Sequence, residues 1–350
     1  REQRPDIDSV YMSATQLING HGGWPMSVFL DNQLRPFHAA TYYPPFASDG
    51  RKGFNEVLLE SHQLWQEQPE LINDVATTIT RRITVRADET AEDAVLADDI
   101  NELALQQISE SYEQDFGGFS VAPKFPRPGI FSFLNQLVLS NAAVSAKDKI
   151  SAQRMMATTL DAMAAGGIHD QVAGGFHRYS VDMSWQVPHF EKMLYNQALM
   201  VLAYNDFYRI ARQEKYSSIA LAILEFASRE MRSPDGGFYS ALDADSEPAD
   251  GKAGEKTEGA YYLWREAELK AVLPPAEFEF VKKYFQVEAS GNIFSDPHEE
   301  FSGLNVLYID EMFRDKTLSP QEKIWLGSAK KRLNGIRNQR PRPHLDDKVI

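Results

Sequence analysis

Three Gly-Gly-Phe triplets, at Gly117-Gly118-Phe119, Gly174-Gly175-Phe176 and Gly236-Gly237-Phe238, constrain this chain more than any other feature of its sequence. They start 57 and 62 residues apart (117 to 174, 174 to 236), which leaves room each time for two helices and their loops. Each follows a stretch of helical periodicity and precedes an irregular or extended segment. Paired glycines reach positive φ at no steric cost and so end a helix, and the phenylalanine behind them can anchor the returning chain. A single triplet carries no information. Three at near-equal spacing define a repeated unit, and that unit is a helical hairpin.

Helices are expected over 97–114, 129–141, 147–166, 190–212, 215–232, 276–285 and 320–338. The last opens on Ser319-Pro320-Gln321-Glu322, a capping-box pattern with proline at the first helical position. The helix from 193 to 210 carries Leu194, Leu199, Leu202, Phe207 and other apolar residues around most of its circumference. Such a helix is expected to be buried on several sides, as an inner-ring helix of a closed toroid is. An open solenoid would more often leave it a polar face.

The first 85 residues read differently. A helix ending near 18 is followed by the turn-rich Gly20-His21-Gly22-Gly23-Trp24-Pro25, two strands over 26–30 and 36–42 that form a hairpin, and helices over 53–66 and 69–82. Residues 86–98 are acidic and read as a linker. The expected organisation is an α/β domain over 1–85, a linker over 86–98 and helical hairpins over 99–350.

With 36 basic and 50 acidic side chains, the formal charge of -14 repels phosphate backbones, so no nucleic acid partner is expected. The longest apolar stretch, 198–204, is far short of the roughly 20 residues of a membrane-spanning helix. The chain has no cysteine, which excludes disulfides and thiolate metal sites within it and agrees with a reducing, cytoplasmic setting. His169-Asp170 and His344-Leu345-Asp346-Asp347 lack zinc-ligand spacing, and no Gly-Lys-Ser/Thr loop is present, so neither a metal nor a cofactor is expected.

Five runs are long enough to point to a family: Arg4-Pro5-Asp6-Ile7-Asp8, the stretch 22–30 around Gly23-Trp24-Pro25, Gly175-Phe176-His177-Arg178-Tyr179-Ser180, the stretch 187–195 around Pro188-His189-Phe190-Glu191-Lys192, and Asp243-Ala244-Asp245-Ser246-Glu247. Together they resemble the spermatogenesis-associated protein 20 family. The resemblance implies a mainly α protein: a thioredoxin-like domain, truncated here, followed by an incomplete (α/α)6 toroid similar to N-acylglucosamine 2-epimerases and six-hairpin glycosidases. It implies no settled activity. The family's cysteine-containing segment would lie upstream of Arg1 and the last part of its toroid beyond Asp347, so the chain is expected to be an internal fragment. Pro25, directly before a strand, stands where thioredoxin-like folds keep a cis-proline.

The candidate chemistry sits in the hairpin region. His177, Arg178, His189 and Glu191 bring two imidazoles, a guanidinium and a carboxylate close together in sequence, with Trp185 able to stack on a sugar face and Lys192 and Tyr195 as further substrate contacts. Asp243 and Asp245 could supply the paired carboxylates of a glycosidase-like site. They do not begin a calcium loop, because Pro248 and Gly254 stand where an EF-hand needs glycine and glutamate. Loops of equal phase emerge on one face of a repeat, so all six catalytic candidates are expected around one pocket that takes a carbohydrate. A second reading stays open: these residues hold loops in place, the toroid is a non-catalytic scaffold for a protein partner, and the thioredoxin-like domain is a docking or redox-linked interaction module.

Overall fold

Helix α1 (Pro5–Asn19) stops where Gly20 takes φ 77°, and the chain then turns through a cis Trp24–Pro25 bond into strand β1 (Ser27–Leu30). Strand β2 (Pro36–Ala40) returns antiparallel, with Ser27 opposite Ala40 and an irregularity between Phe29 and Leu30. Asp31 shapes the turn, accepting the backbone N–H groups of Gln33 and Arg35 and pairing with the Arg35 guanidinium. Helices α2 (Phe54–Glu67) and α3 (Pro69–Glu89) complete this part. The structure is a computed structural model that describes residues 4–48, 50–89, 99–140, 144–248, 254–293 and 301–350. It divides into two units, 1–97 and 98–350. Helix α3 runs to Glu89, seven residues past the expected end at 82 and into the segment read as a linker, whose remainder lies outside the described residues.

In the second unit, helices α4 (Ile100–Glu110), α5 (Pro128–Leu139) and α6 (Ala146–Ala165) lead to three short strands, β3 (Tyr179–Ser180), β4 (Pro188–His189) and β5 (Lys192–Met193). Helix α7 (Leu194–Ala211) and helix α8 (Glu214–Phe226) follow, α8 ending in a π turn over Ala227–Met231. Beyond them come β6 (Tyr239–Leu242), β7 (Asp245–Ser246), β8 (Thr257–Glu258), α9 (Glu266–Val272), α10 (Pro275–Tyr284), α11 (Glu311–Arg314), α12 (Pro320–Arg337) and β9 (Leu345–Val349). Successive helices pack as hairpins, α5 on α6 and α7, and α7 on α8. One core joins Phe119, Phe131, Met156, Phe176, Trp185 and Tyr204, and another lies between α9, α10 and α12. The fold is mainly α with a few small sheets.

All six glycines of the repeated triplets have positive φ. At Gly118 an added Cβ would come within 2.8 Å of Lys124 and Trp185, and at Gly175 within 2.5 Å of the Phe226 ring, so close packing as well as backbone conformation demands glycine there. Phe119 and Phe176 are buried, whereas Phe238 is only half-buried, so the third repeat is the looser one. The capping box of α12 forms as its sequence predicts, Ser319 and Glu322 exchanging side chain-to-backbone bonds.

The expectation for 193–210 needs correction. Helix α7 buries Met200, Ala203, Tyr204 and Phe207 but leaves Leu199 41% and Leu202 56% exposed. Its apolar residues exceed what its neighbours cover, so apolarity on all sides does not here mean burial on all sides.

Candidate functional site

Strand pairing brings distant side chains together. Tyr179 lies opposite His189 across β3 and β4, Asp245 opposite Glu258 across β7 and β8, and β5 pairs with β6 just before Asp243. His189 is the centre of the resulting cluster. Its Nδ1 is 2.7 Å from Glu258 Oε1, its Nε2 is 3.9 Å from Glu191 Oε2, and its ring stacks on Tyr179 with centroids 4.9 Å apart. Arg178 donates to Glu191 at 2.9 Å and also bonds the half-exposed Tyr195. The Phe190 backbone N–H donates to Glu258 as well.

The charges follow from this geometry. Burial disfavours the His189 imidazolium, but the hydrogen bond and charge of Glu258, helped by Glu191, outweigh it and hold the pKa above the ordinary 6.5. Burial alone would push Glu258 up, yet the His189 bond draws it below the usual carboxylate range. Asp245 moves the other way: burial and the nearby charges of Asp243 and Glu258 raise it. A histidine with one nitrogen held by a carboxylate and the other directed toward a second, guanidinium-bound carboxylate has the parts for moving a proton.

Arg178, His189, Glu191, Tyr195, Asp243 and Asp245 therefore belong to one neighbourhood. His177, Trp185 and Lys192 do not. His177 is buried between Phe190 and Tyr262, its Nδ1 2.9 Å from the Phe190 carbonyl oxygen, and burial with the Lys192 charge keeps it neutral. Trp185 fills the core and donates its indole N–H to the Phe116 carbonyl, leaving no face for a sugar. The Lys192 ammonium is fully buried, donating to Asp170 at 2.8 Å and to the Gly174 carbonyl at 3.0 Å, with Phe226 below it, and burial lowers its pKa to about 8. Arg337 donates twice to the same Asp170 at 2.9 Å. This Asp170, Lys192 and Arg337 network walls a cavity of about 180 Å³ whose other ion pair, Arg342 with Glu230, is also closed. Glu258 and Tyr179 escaped the sequence reading. Among the described residues, no three His, Asp or Glu side chains are grouped as metal ligands, and no helix is long and apolar enough to cross a membrane.

A thioredoxin-like α/β domain leading into helical hairpins is the class these observations define, and residues 1–84 match the family model described as "Thioredox_DsbH: Protein of unknown function, DUF255". The whole chain, moreover, aligns with "Spermatogenesis-associated protein 20". It is 39% identical to that protein from Homo sapiens over 369 positions, covering 100% of this chain and 46% of that one. The Mus musculus protein is 37% identical with the same coverage. Over its full length the chain is homologous to the spermatogenesis-associated protein 20 proteins, and it spans about half the length of the curated relatives it matches. Solved structures with some likeness include a sugar epimerase from a ruminal bacterium (12% identity, 70% of this chain and 76% of that one, TM-score 0.34). Cellobiose 2-epimerase from Spirochaeta thermophila is another (15% identity, 71% and 75%, TM-score 0.33). No residue equivalence follows from superpositions at these scores.

Proposed function

We propose that the helical unit binds a hydroxyl-rich small molecule of the carbohydrate class at the His189 cluster and acts on it by proton transfer. The observation that carries this reading is the arrangement of His189, partly exposed, with Glu258 on Nδ1 and Glu191 facing Nε2. In this mechanism His189 gives and takes the proton at Nε2 while Glu258 steadies the imidazolium. Arg178, beyond holding Glu191, donates to substrate oxygens, the half-exposed Tyr195 offers a ring face to a sugar, and Asp245, raised by burial and its acidic neighbours, serves as a second proton carrier. The 350 residues contain no thiol, so thiol-disulfide exchange forms no part of the proposal for them. A cytoplasmic location belongs to the same reading.

The test compares the unaltered chain with His189→Ala and Glu191→Gln, using a panel of neutral sugars, calorimetry for binding and a thermal melt for folding. Lost binding with an unchanged melt supports the site. A large drop in melting temperature, with no sugar bound by any version, assigns the cluster to structure and favours the scaffold reading.

A further inference from the structure

A separate cavity of about 520 Å³ lies in the helical unit and shares none of its lining residues with the His189 cluster. Its rim carries exposed Asp115, Arg314 and Asp315, and its wall includes Lys215, which is paired with Asp161 at 2.8 Å. Two groups in the wall have no such partner. Lys330 on α12 makes no ion pair or hydrogen bond among the described residues, although burial lowers its pKa to about 8 against a weak opposing pull from Asp170. His169 is only 5% exposed, and neither ring nitrogen has a well-formed hydrogen bond. The Ala164 carbonyl gives it slight electrostatic support but already accepts the Gln171 amide. Unsatisfied polar groups inside a protein are costly, and the half-buried Lys330 is partly stripped of water without a counter-charge, which marks positions where a ligand supplies the missing partners.

We propose that this cavity binds a small hydroxylated oxyanion of the sugar-acid or sugar-phosphate type, with its anionic group on Lys330 and its hydroxyls toward His169. The volume suits a molecule of that size. Lys330 offers a compact positive charge and Arg314, at the rim, a planar one, both suited to carboxylate or phosphate oxygens. His169 has its pKa lowered to about 3, chiefly by burial, so it stays neutral and presents one donor and one acceptor. That complements a hydroxyl rather than a charge.

Calorimetry on the full 350-residue chain would use four probes: gluconate, glucose 6-phosphate, glucose and inorganic phosphate. At least one sugar anion is expected to bind, more tightly than both glucose and inorganic phosphate, and to shift the His169 ring resonances. Lys330→Gln is expected to weaken that binding by about tenfold or more, the scale of one charge-assisted bond, and Arg314→Gln to weaken it less. Should Lys330→Gln not fold, the His169 shift in the unaltered chain decides, and Arg314 at the surface remains a usable variant. Three results would overturn the proposal: no sugar anion bound at about 10 mM, inorganic phosphate bound as tightly as the sugar anions, or binding abolished by His189→Ala but untouched by Lys330→Gln. The last would move the ligand to the other site.

Discussion

His189 owes its charge state to Glu258, sixty-nine residues along the chain. Its folded-state pKa is raised, so the stability contributed by the pair is fully present below the ordinary value of about 6.5 and is lost as pH rises through the folded value. Two outcomes follow. A ring-proton NMR titration should place His189 above 6.5, and Glu258→Gln should bring it down. The same substitution should cost more stability at about pH 5.5 than at about pH 9; equal cost at both would refute the charged pair. His177, by contrast, should titrate well below the ordinary value, because burial and the Lys192 charge favour its neutral form. The sequence named five of the side chains around His189 yet misassigned His177, Trp185 and Lys192, and for Lys192 the reason is local. Along an extended segment neighbours face opposite ways: Pro188, Phe190 and Lys192 are buried while His189 and Glu191 reach the surface. That alternation was legible in the residue types; the partnership with Glu258 was not, since it arises only when β8 comes against β4.

At the scale of elements, one carboxylate joins the 166–178 loop, strand β5 and helix α12. Asp170 receives Lys192, both terminal nitrogens of Arg337 and the backbone N–H groups of Val172 and Ala173. Asp170→Ala leaves two buried cations without their counter-charge, and should cost about 3–5 kcal/mol in urea unfolding; a loss under about 1 kcal/mol would show that the network contributes little. Helix α12 allows the opposite change. Gly327 and Gly335 are exposed helical residues with nothing within 4 Å of an added Cβ, so Gly327→Ala and Gly335→Ala should each add about 0.5–1 kcal/mol by the same assay. Gly175→Ala should destabilise instead, because its Cβ meets the Phe226 ring and its φ is +79°. Most helices lay where periodicity put them. The exceptions, α9 and α11, span 7 and 4 residues, too short for a 3.6-residue period to show, and they form because α10 and α12 offer them an apolar surface.

For the whole molecule, the two units differ in what holds them. Among the described residues, the buried apolar ones of 1–97 are Ala14, Ala39, Val57, Ile72, Ala76 and Ile79, mostly small, whereas 98–350 buries Phe, Trp, Tyr and Met side chains in three clusters. Burial of larger apolar area gives larger stabilisation. Heating should therefore melt the first unit before the second, with amide exchange along β1 and β2 faster than along α7; one cooperative transition with uniform protection would contradict this. The repeat period, visible in three triplets, led to the hairpin architecture. The extent to which α7 is covered was not visible, because it depends on how many neighbours arrive rather than on its own residues.

The extended segment that carries His189 and Glu191 is fixed from behind by Lys192, so its course does not depend only on the bonds its outward side chains make. In such a frame, replacing the outward side chains changes the chemistry on offer while the scaffold stays standing. The outward residues are thus free to vary at little structural cost, and a change at Asp170 or Arg337 would be tolerated far less readily than one at Glu191.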